Sequence, residues 1–128
     1  MILQILKRLK IADQELFVKT FLEEFRLNLA RGIRTVVIDE MHKFAPESEK
    51  TASKEVIRGM FQENRSDGLG IIGISQRPQR IDKTCLSQAD NLCIGKVTSF
   101  RDKEAIKNYI DDPADIEKIK DSGSGIIC

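Results

Sequence analysis

Residues Val36-Val37-Ile38-Asp39-Glu40 take an apolar run directly into two adjacent carboxylates. A β-branched run without alternation has the pattern of a strand buried on both faces, as in a parallel sheet. Its carboxyl end is the edge at which open α/β sheets bind ligands. At that edge one acid can hold Mg2+, usually through water, because a hard cation takes oxygen ligands. The other can polarise a water for in-line attack on a phosphoryl group. A structural strand that ends in acids because its loop is solvated has the same letters, so the pair alone leaves both readings open. A second apolar run, Ile71-Ile72-Gly73-Ile74, ends in Ser75-Gln76-Arg77-Pro78. If the two strands are neighbours, Gln76 sits beside Asp39 and Glu40. An amide there can donate to a γ-phosphate oxygen and accept from a water.

The elements that must position these residues can be read from periodicity. Leu16, Phe17, Phe21, Leu22, Phe25 and Leu29 form a helical stripe within residues 13–31, so a helix is expected across 12–32, with Asp13 as N-cap and Gly32 as its stop. Phe17, Phe21 and Phe25 read most simply as core. A strand over 34–39 is followed by a loop over 41–48 containing Pro46, then by a helix with Val56, Ile57, Met60 and Phe61 on one face, closed by Gly68. Further on, the pattern predicts a strand over 71–75, a helical turn over 83–88 and a third strand over 92–97. Ser99 with Asp102 resembles a capping box for a helix through Ile110, Asp112-Pro113 starts a short helix, and residues 125–128 read as a strand cut short. Strands alternating with helices indicate an α/β fold with a mostly parallel sheet flanked by helices. The start, residues 1–11, is amphipathic and suits packing on the sheet, on a partner or on a missing segment.

Composition narrows the class. With 128 residues the chain fits one domain, and 21 Lys+Arg against 20 Asp+Glu leave a formal charge of +1, which provides no electrostatic footprint for nucleic acid. No apolar run reaches a membrane span, and the apolar start precedes its charges, opposite to a signal peptide. Cys85, Cys93 and Cys128 are odd in number and lack zinc-site spacing, which suits a reducing cytosol. A cytoplasmic location with no membrane partner is expected.

The stretches DEMHKFAP, ENRSDGLGIIGISQRP and IDKTCLSQADNLCIGKVTSFRDKEAI, in that order, resemble the C-terminal half of HerA/FtsK-type ATPases over residues 33–128. These are hexameric RecA-like motors that translocate DNA, and viral genome-packaging ATPases are among their relatives. The resemblance implies a partial P-loop NTPase core in which Asp39 and Glu40 are the Walker B pair, Asp39 ordering Mg2+ through water. It makes Gln76 the sensor and Arg65 a finger that reaches a neighbouring subunit's nucleotide, stabilising charge on the transferred phosphoryl group. Arg77 is a second finger candidate and Arg58 a weaker one; each arginine also reads as an exposed salt-bridging residue. Met41 and Ser75 replace the family's commoner Ala and Thr. ATP and Mg2+ are the implied cofactors. DNA, other copies in a hexameric ring and a nuclease or processing protein are the implied partners.

One departure is large: the phosphate cradle, GxxxxGK followed by Ser or Thr, is absent. Gly95-Lys96-Val97-Thr98 comes nearest, but Val97 stands at the hydroxyl position, Asp90 at the first glycine, and no helix is expected at Lys96. The chain alone should bind ATP poorly or not at all. In the fold it resembles, the cradle strand lies between the strands expected over 92–97 and 71–75, so its loss leaves a gap. A fragment of a longer protein, or a partner polypeptide that supplies the other half, accounts for that, and the ending at Cys128 within an apparent strand favours a fragment. Gly68-Leu69-Gly70-Ile71-Ile72-Gly73 matches GxGxxG by letter, but it follows a helix and opens a strand, the reverse of a dinucleotide site. His42, the one histidine, reads as hydrogen-bonded to a carboxylate or as a relay from nucleotide to DNA contacts. Arg77, Arg80, Lys83, Arg101, Lys103 and Lys107 add local positive charge, with interspersed acids that suit a solvated surface. The expected function is the C-terminal part of an ATP-driven DNA translocase, helicase or packaging motor, inactive alone. The rival readings are a non-catalytic oligomerisation or interaction module and an inactive gene remnant.

Overall fold

The computed structural model describes residues 10–27, 34–63, 68–119 and 125–127. Helix α1 (Ile11–Leu27) leads to strand β1 (Arg34–Ile38), a 3-10 turn (Met41–Lys43) and helix α2 (Lys54–Glu63). Strand β2 (Leu69–Gly73) follows, then a second 3-10 turn (Pro78–Arg80), helix α3 (Lys83–Ser87) and strand β3 (Cys93–Ile94). Helices α4 (Phe100–Lys107) and α5 (Ala114–Lys118) and strand β4 (Ile126–Ile127) complete the order.

The α/β class is as expected. β1 and β2 pair in parallel from Arg34↔Leu69 to Ile38↔Gly73. The ladder continues past both strands, since Ile74 N–H donates to Ile38 O and Met41 N–H to Ile74 O, each at 2.9 Å. β2 begins two residues earlier than the apolar run suggests, directly after Gly68, whose φ of 73° is left-handed and aims the chain into the sheet. The third run differs more. It is reduced to two residues that pair antiparallel with Ile126–Ile127 in a separate sheet, so the described parallel sheet has two strands. Ile94 of β3 belongs to a small second core with Ile106, Ile116 and Ile119.

Side chains alternate across β1 and β2, as the strand period requires. Ile38 and Leu69 are buried with Leu22, Ile57 and Met60, and Val36 and Ile71 pack against that cluster. The opposite face is bare among the described residues: Val37, Ile72 and Ile74 are 53%, 50% and 47% exposed. Burial on both faces, which the unbroken apolar runs imply, is therefore met on one face alone. α1 is corrected in a related way. Phe17 and Phe21 are exposed and stack at 6.4 Å, Phe21 stacks on Phe25 at 6.0 Å, and Leu22 is the side chain that seals the core. Asp13 lies within the first turn instead of capping it, where a carboxylate favours the helix dipole. Leu29 and Gly32 fall outside the described residues. Among the described residues, no helix is long and apolar enough to cross a membrane.

A polar clamp fixes the loop that follows the acid pair. Thr51 and Ser53 hydroxyls donate to Phe44 O at 2.6 and 2.8 Å, and Lys54 Nζ donates to Pro46 O at 2.6 Å and Glu47 O at 3.0 Å. Lys54 also meets the buried Asp82 carboxylate at 3.2 Å, Arg58 approaches it at 3.5 Å, and Asp82 caps α3 by accepting from Thr84 N–H at 2.9 Å. Burial alone would raise the Asp82 pKa; the hydrogen bonds from Lys54 and Thr84, together with the Arg58 charge, outweigh it and hold the group below its ordinary value. Its stabilisation is thus present above the unfolded-state pKa and is lost as pH falls through the lower folded value. Asp82→Asn leaves Lys54 and Arg58 facing a neutral amide and is expected to lower stability by about 3 kcal/mol at pH 7. In urea titrations the gap between variant and wild type should narrow once pH drops below about 4.

Candidate functional site

The Ile38↔Gly73 pairing brings the two strand ends to one edge, so Asp39-Glu40 and Ser75-Gln76 leave the sheet side by side. Asp39 is exposed and its Oδ1 accepts from Glu40 N–H at 2.8 Å. Glu40 has φ 51° and ψ 41°, and among the described residues it is the one non-glycine with positive φ. Such a conformation costs about 1–2 kcal/mol for an L side chain. It turns the chain sharply enough for Met41 N–H to reach Ile74 O and for the Met41 side chain to enter the core. Gly73 permits that entry, because a Cβ there would collide with Met41 Sδ.

His42 occupies the space between the strand ends. Its Nδ1 is 3.2 Å from Glu40 Oε2 and 2.8 Å from Ser75 Oγ. Ser75 Oγ also accepts from Arg77 N–H at 3.0 Å. Burial lowers the His42 pKa; the Glu40 carboxylate opposes that, and Lys43, Arg77 and Arg80 add to it, leaving a net downward shift. Gln76 and Arg77 are exposed on the turn beyond Ser75.

The structure therefore brings Asp39, Glu40, Gln76 and Arg77 to one edge. Arg65 lies outside the described residues. Arg58 is committed elsewhere: besides Asp82, it donates to Thr84 Oγ1 at 3.1 Å and Glu55 Oε1 at 3.3 Å, which bears out its salt-bridging reading. The basic residues are interleaved with acids as expected, Lys83 pairing with Glu47 at 3.3 Å and Lys103 with Glu117 at 2.7 Å. Ser75, noted in the sequence only as standing where the family commonly has Thr, is the residue whose contact sequence reasoning missed. Its signal was its position, one residue before Gln76 and just past the end of β2.

A single exposed carboxylate such as Asp39 fits Mg2+, which keeps several waters and takes its other ligands from phosphate oxygens. Among the described residues no three His, Cys, Asp or Glu side chains cluster as a metal cage. Cys85 is buried, and burial together with the nearby Asp82 charge pushes its thiol up to about 12, so it is no thiolate ligand. Gly95-Lys96 follows β3 in an extended segment with no helix until Phe100, and Gly68–Gly73 opens β2, so neither glycine sequence forms a phosphate or dinucleotide cradle.

No family model matches the chain. Over 112 residues it is 35% identical to the DNA double-strand break repair helicase HerA of Saccharolobus solfataricus, covering 82% of this chain and 22% of that protein. HerA of Pyrococcus furiosus is 29% identical over 91 residues, which is 65% of this chain and 16% of the relative. A probable helicase of Methanocaldococcus jannaschii is 33% identical over 72 residues, 56% of this chain and 14% of its own length. The chain is a relative of the HerA helicases. It thus spans less than a quarter of the curated HerA relatives it matches. Its fold is shared with the genome packaging NTPase B204 of Sulfolobus turreted icosahedral virus 2. The structure of that protein with AMPPCP gives a TM-score of 0.66 at 23% identity over 85% of this chain and 55% of the neighbour. The one with ATP-gammaS gives 0.62 at 24% identity over 75% and 47%.

In this HerA relative the His42 environment has a readable sign. Because burial lowers the pKa and Glu40 raises it, His42 should titrate below 6.5, and Glu40→Gln should move it lower still. A pH titration of the imidazole resonances by NMR checks this; an unchanged or higher value in the variant would mean that the Glu40 carboxylate does not favour the protonated ring.

Proposed function

We propose that the chain is the Walker B-bearing part of an ATP-hydrolysing DNA motor of translocase, helicase or packaging type. Residues 1–128 form one partial ATPase domain in this reading, residues 33–128 being its HerA/FtsK-like portion. The observation that carries it is the shared edge, where two parallel strands end in Asp39-Glu40 and Ser75-Gln76. The names of the relatives support DNA as the partner, and the ATP analogues in the two B204 structures support nucleotide as the ligand.

The roles are those the family resemblance implies, and side-chain chemistry suits them. Asp39 would hold Mg2+, which when bound would supply charge neutralisation on the phosphates. Glu40 accepts a proton from the attacking water, and Gln76 donates to a γ-phosphate oxygen while orienting that water. Arg65, with Arg77 as the second candidate, stabilises charge on the phosphoryl group across a subunit boundary in a homo-oligomeric ring, hexameric by the resemblance. A ring can gather a few basic loops at its pore, so the formal charge of +1 is compatible with DNA. A nuclease or processing partner and a cytoplasmic site belong to the same reading.

These residues include no phosphate cradle, so the cradle comes from further sequence or from a partner polypeptide. The exposed face carrying Val37, Ile72 and Ile74 supports that need, since a parallel sheet is ordinarily covered on both faces. The same absence favours a second reading, a non-catalytic oligomerisation or interaction module. Calorimetry of the 128-residue chain with Mg·ATP is expected to show no saturable binding at millimolar nucleotide; saturation would place a phosphate site within it. Once a phosphate-binding segment is supplied, Glu40→Gln should lower turnover by about 10²–10⁴-fold while nucleotide is retained. Undiminished turnover would remove Glu40 as the base, and neither binding nor turnover in the joined protein would favour the interaction module.

A further inference from the structure

The contacts of His42 reach further than the orientation of one ring. Its side chain is 10% exposed, packed between an acid at one strand end and a hydroxyl at the other. A carboxylate accepts hydrogen bonds and cannot donate them, so the tautomer that suits both neighbours carries its proton on Nδ1, donating to Ser75 Oγ at 2.8 Å with Glu40 Oε2 3.2 Å away. Ser75 Oγ at the same time accepts from Arg77 N–H, the amide that begins the turn to Pro78. The strand ends are thus joined twice. The main chain joins them through Met41 N–H and Ile74 O, and the side chains join them through Glu40, His42, Ser75 and the Arg77 amide. The first link holds the backbones together at fixed spacing. The second can be broken and remade without breaking the ladder.

We infer that His42 is a positioning residue that couples the Glu40 carboxylate to the turn carrying Gln76 and Arg77. Its catalytic meaning rests on the reading of Glu40 as the water-activating group. Glu40 cannot swing toward a water beside Asp39 without changing its contact with His42. Any shift of the Gln76–Arg77 turn toward an anion moves the Arg77 amide, hence Ser75 Oγ, hence His42. The carboxylate that activates water and the turn that meets the γ-phosphate then change position together, through a side-chain bridge instead of through the sheet.

The coupling is read by NMR on the 128-residue chain as a double-variant comparison. Glu40→Gln is expected to shift the amide resonances of residues 75–77, and that response should fall to less than half in a His42→Ala or Ser75→Ala background. An unchanged response without His42 or Ser75, or no response in the wild-type background, overturns the coupling. Ser75→Ala gives the same comparison if His42→Ala does not fold. In the protein joined to a phosphate-binding segment, His42→Ala should lower kcat roughly tenfold with KM for ATP held within about twofold, and His42→Gln, which can still donate to both partners, should recover part of the loss. Turnover by the wild type with unchanged kcat in His42→Ala overturns the catalytic role of the bridge. Absence of turnover in the wild type overturns the ATPase reading instead, and the amide comparison then decides the coupling on its own.

Discussion

The Ile38↔Gly73 step of the parallel ladder is the constraint on which the candidate site depends. Parallel pairing makes both strands exit at the same edge, so whatever follows Ile38 must sit beside whatever follows Gly73. The left-handed turn at Glu40 is tolerated because it lets Met41 do two things at once, donating its N–H to Ile74 O and sending its side chain under Gly73. Strain at one residue is offset by a backbone hydrogen bond and by burial of a large side chain. Glu40 is thereby placed by the fold and not by its own conformational preference.

The loop after that turn is held by polar contacts to a degree unusual for connecting chain. Lys54 reaches the carbonyls of Pro46 and Glu47 as well as Asp82, and Asp82 N–H donates to Ala45 O at 2.9 Å. These bonds tie residues 44–47 to the starts of α2 and α3. The effect on the site is indirect. A fixed loop behind Met41–Lys43 keeps His42 against Ser75, so the ion network on one side of the loop supports the Glu40–His42–Ser75 bridge on the other.

Much of this was legible because the relevant signals are local. An apolar run ending in acids, a second ending in Ser-Gln-Arg, the Ser99 cap and the rejection of the glycine decoys all depend on neighbours in sequence, and Ser99 caps its helix where side-chain chemistry puts it. What was not legible depends on partners far along the chain. The register placing β2 at Leu69–Gly73 is set by pairing with Arg34–Ile38 and by Gly68, which an apolar run cannot report. Phe17 and Phe21 satisfy helical spacing, yet α1 turns Leu22 inward and leaves their rings exposed, since periodicity defines a stripe without saying what covers it. His42 and Ser75 stand 33 residues apart and meet through the ladder alone.

Why can half of such a site stand in advance of the other half? Carboxylates at a strand end are satisfied by groups the strands themselves bring: the Glu40 amide for Asp39, and His42 for Glu40. A phosphate cradle differs, because its backbone N–H groups converge on an anion and are satisfied by it. In the proposed reading, the acid half of a phosphoryl-transfer site is built by two paired strands and one histidine, while the phosphate half requires its own strand, loop and helix. The exposed Val37–Ile72–Ile74 face lies on the very strands that carry the acids, so in the proposed reading a segment that covers this face packs against the same two strands that end in Asp39-Glu40 and Ser75-Gln76.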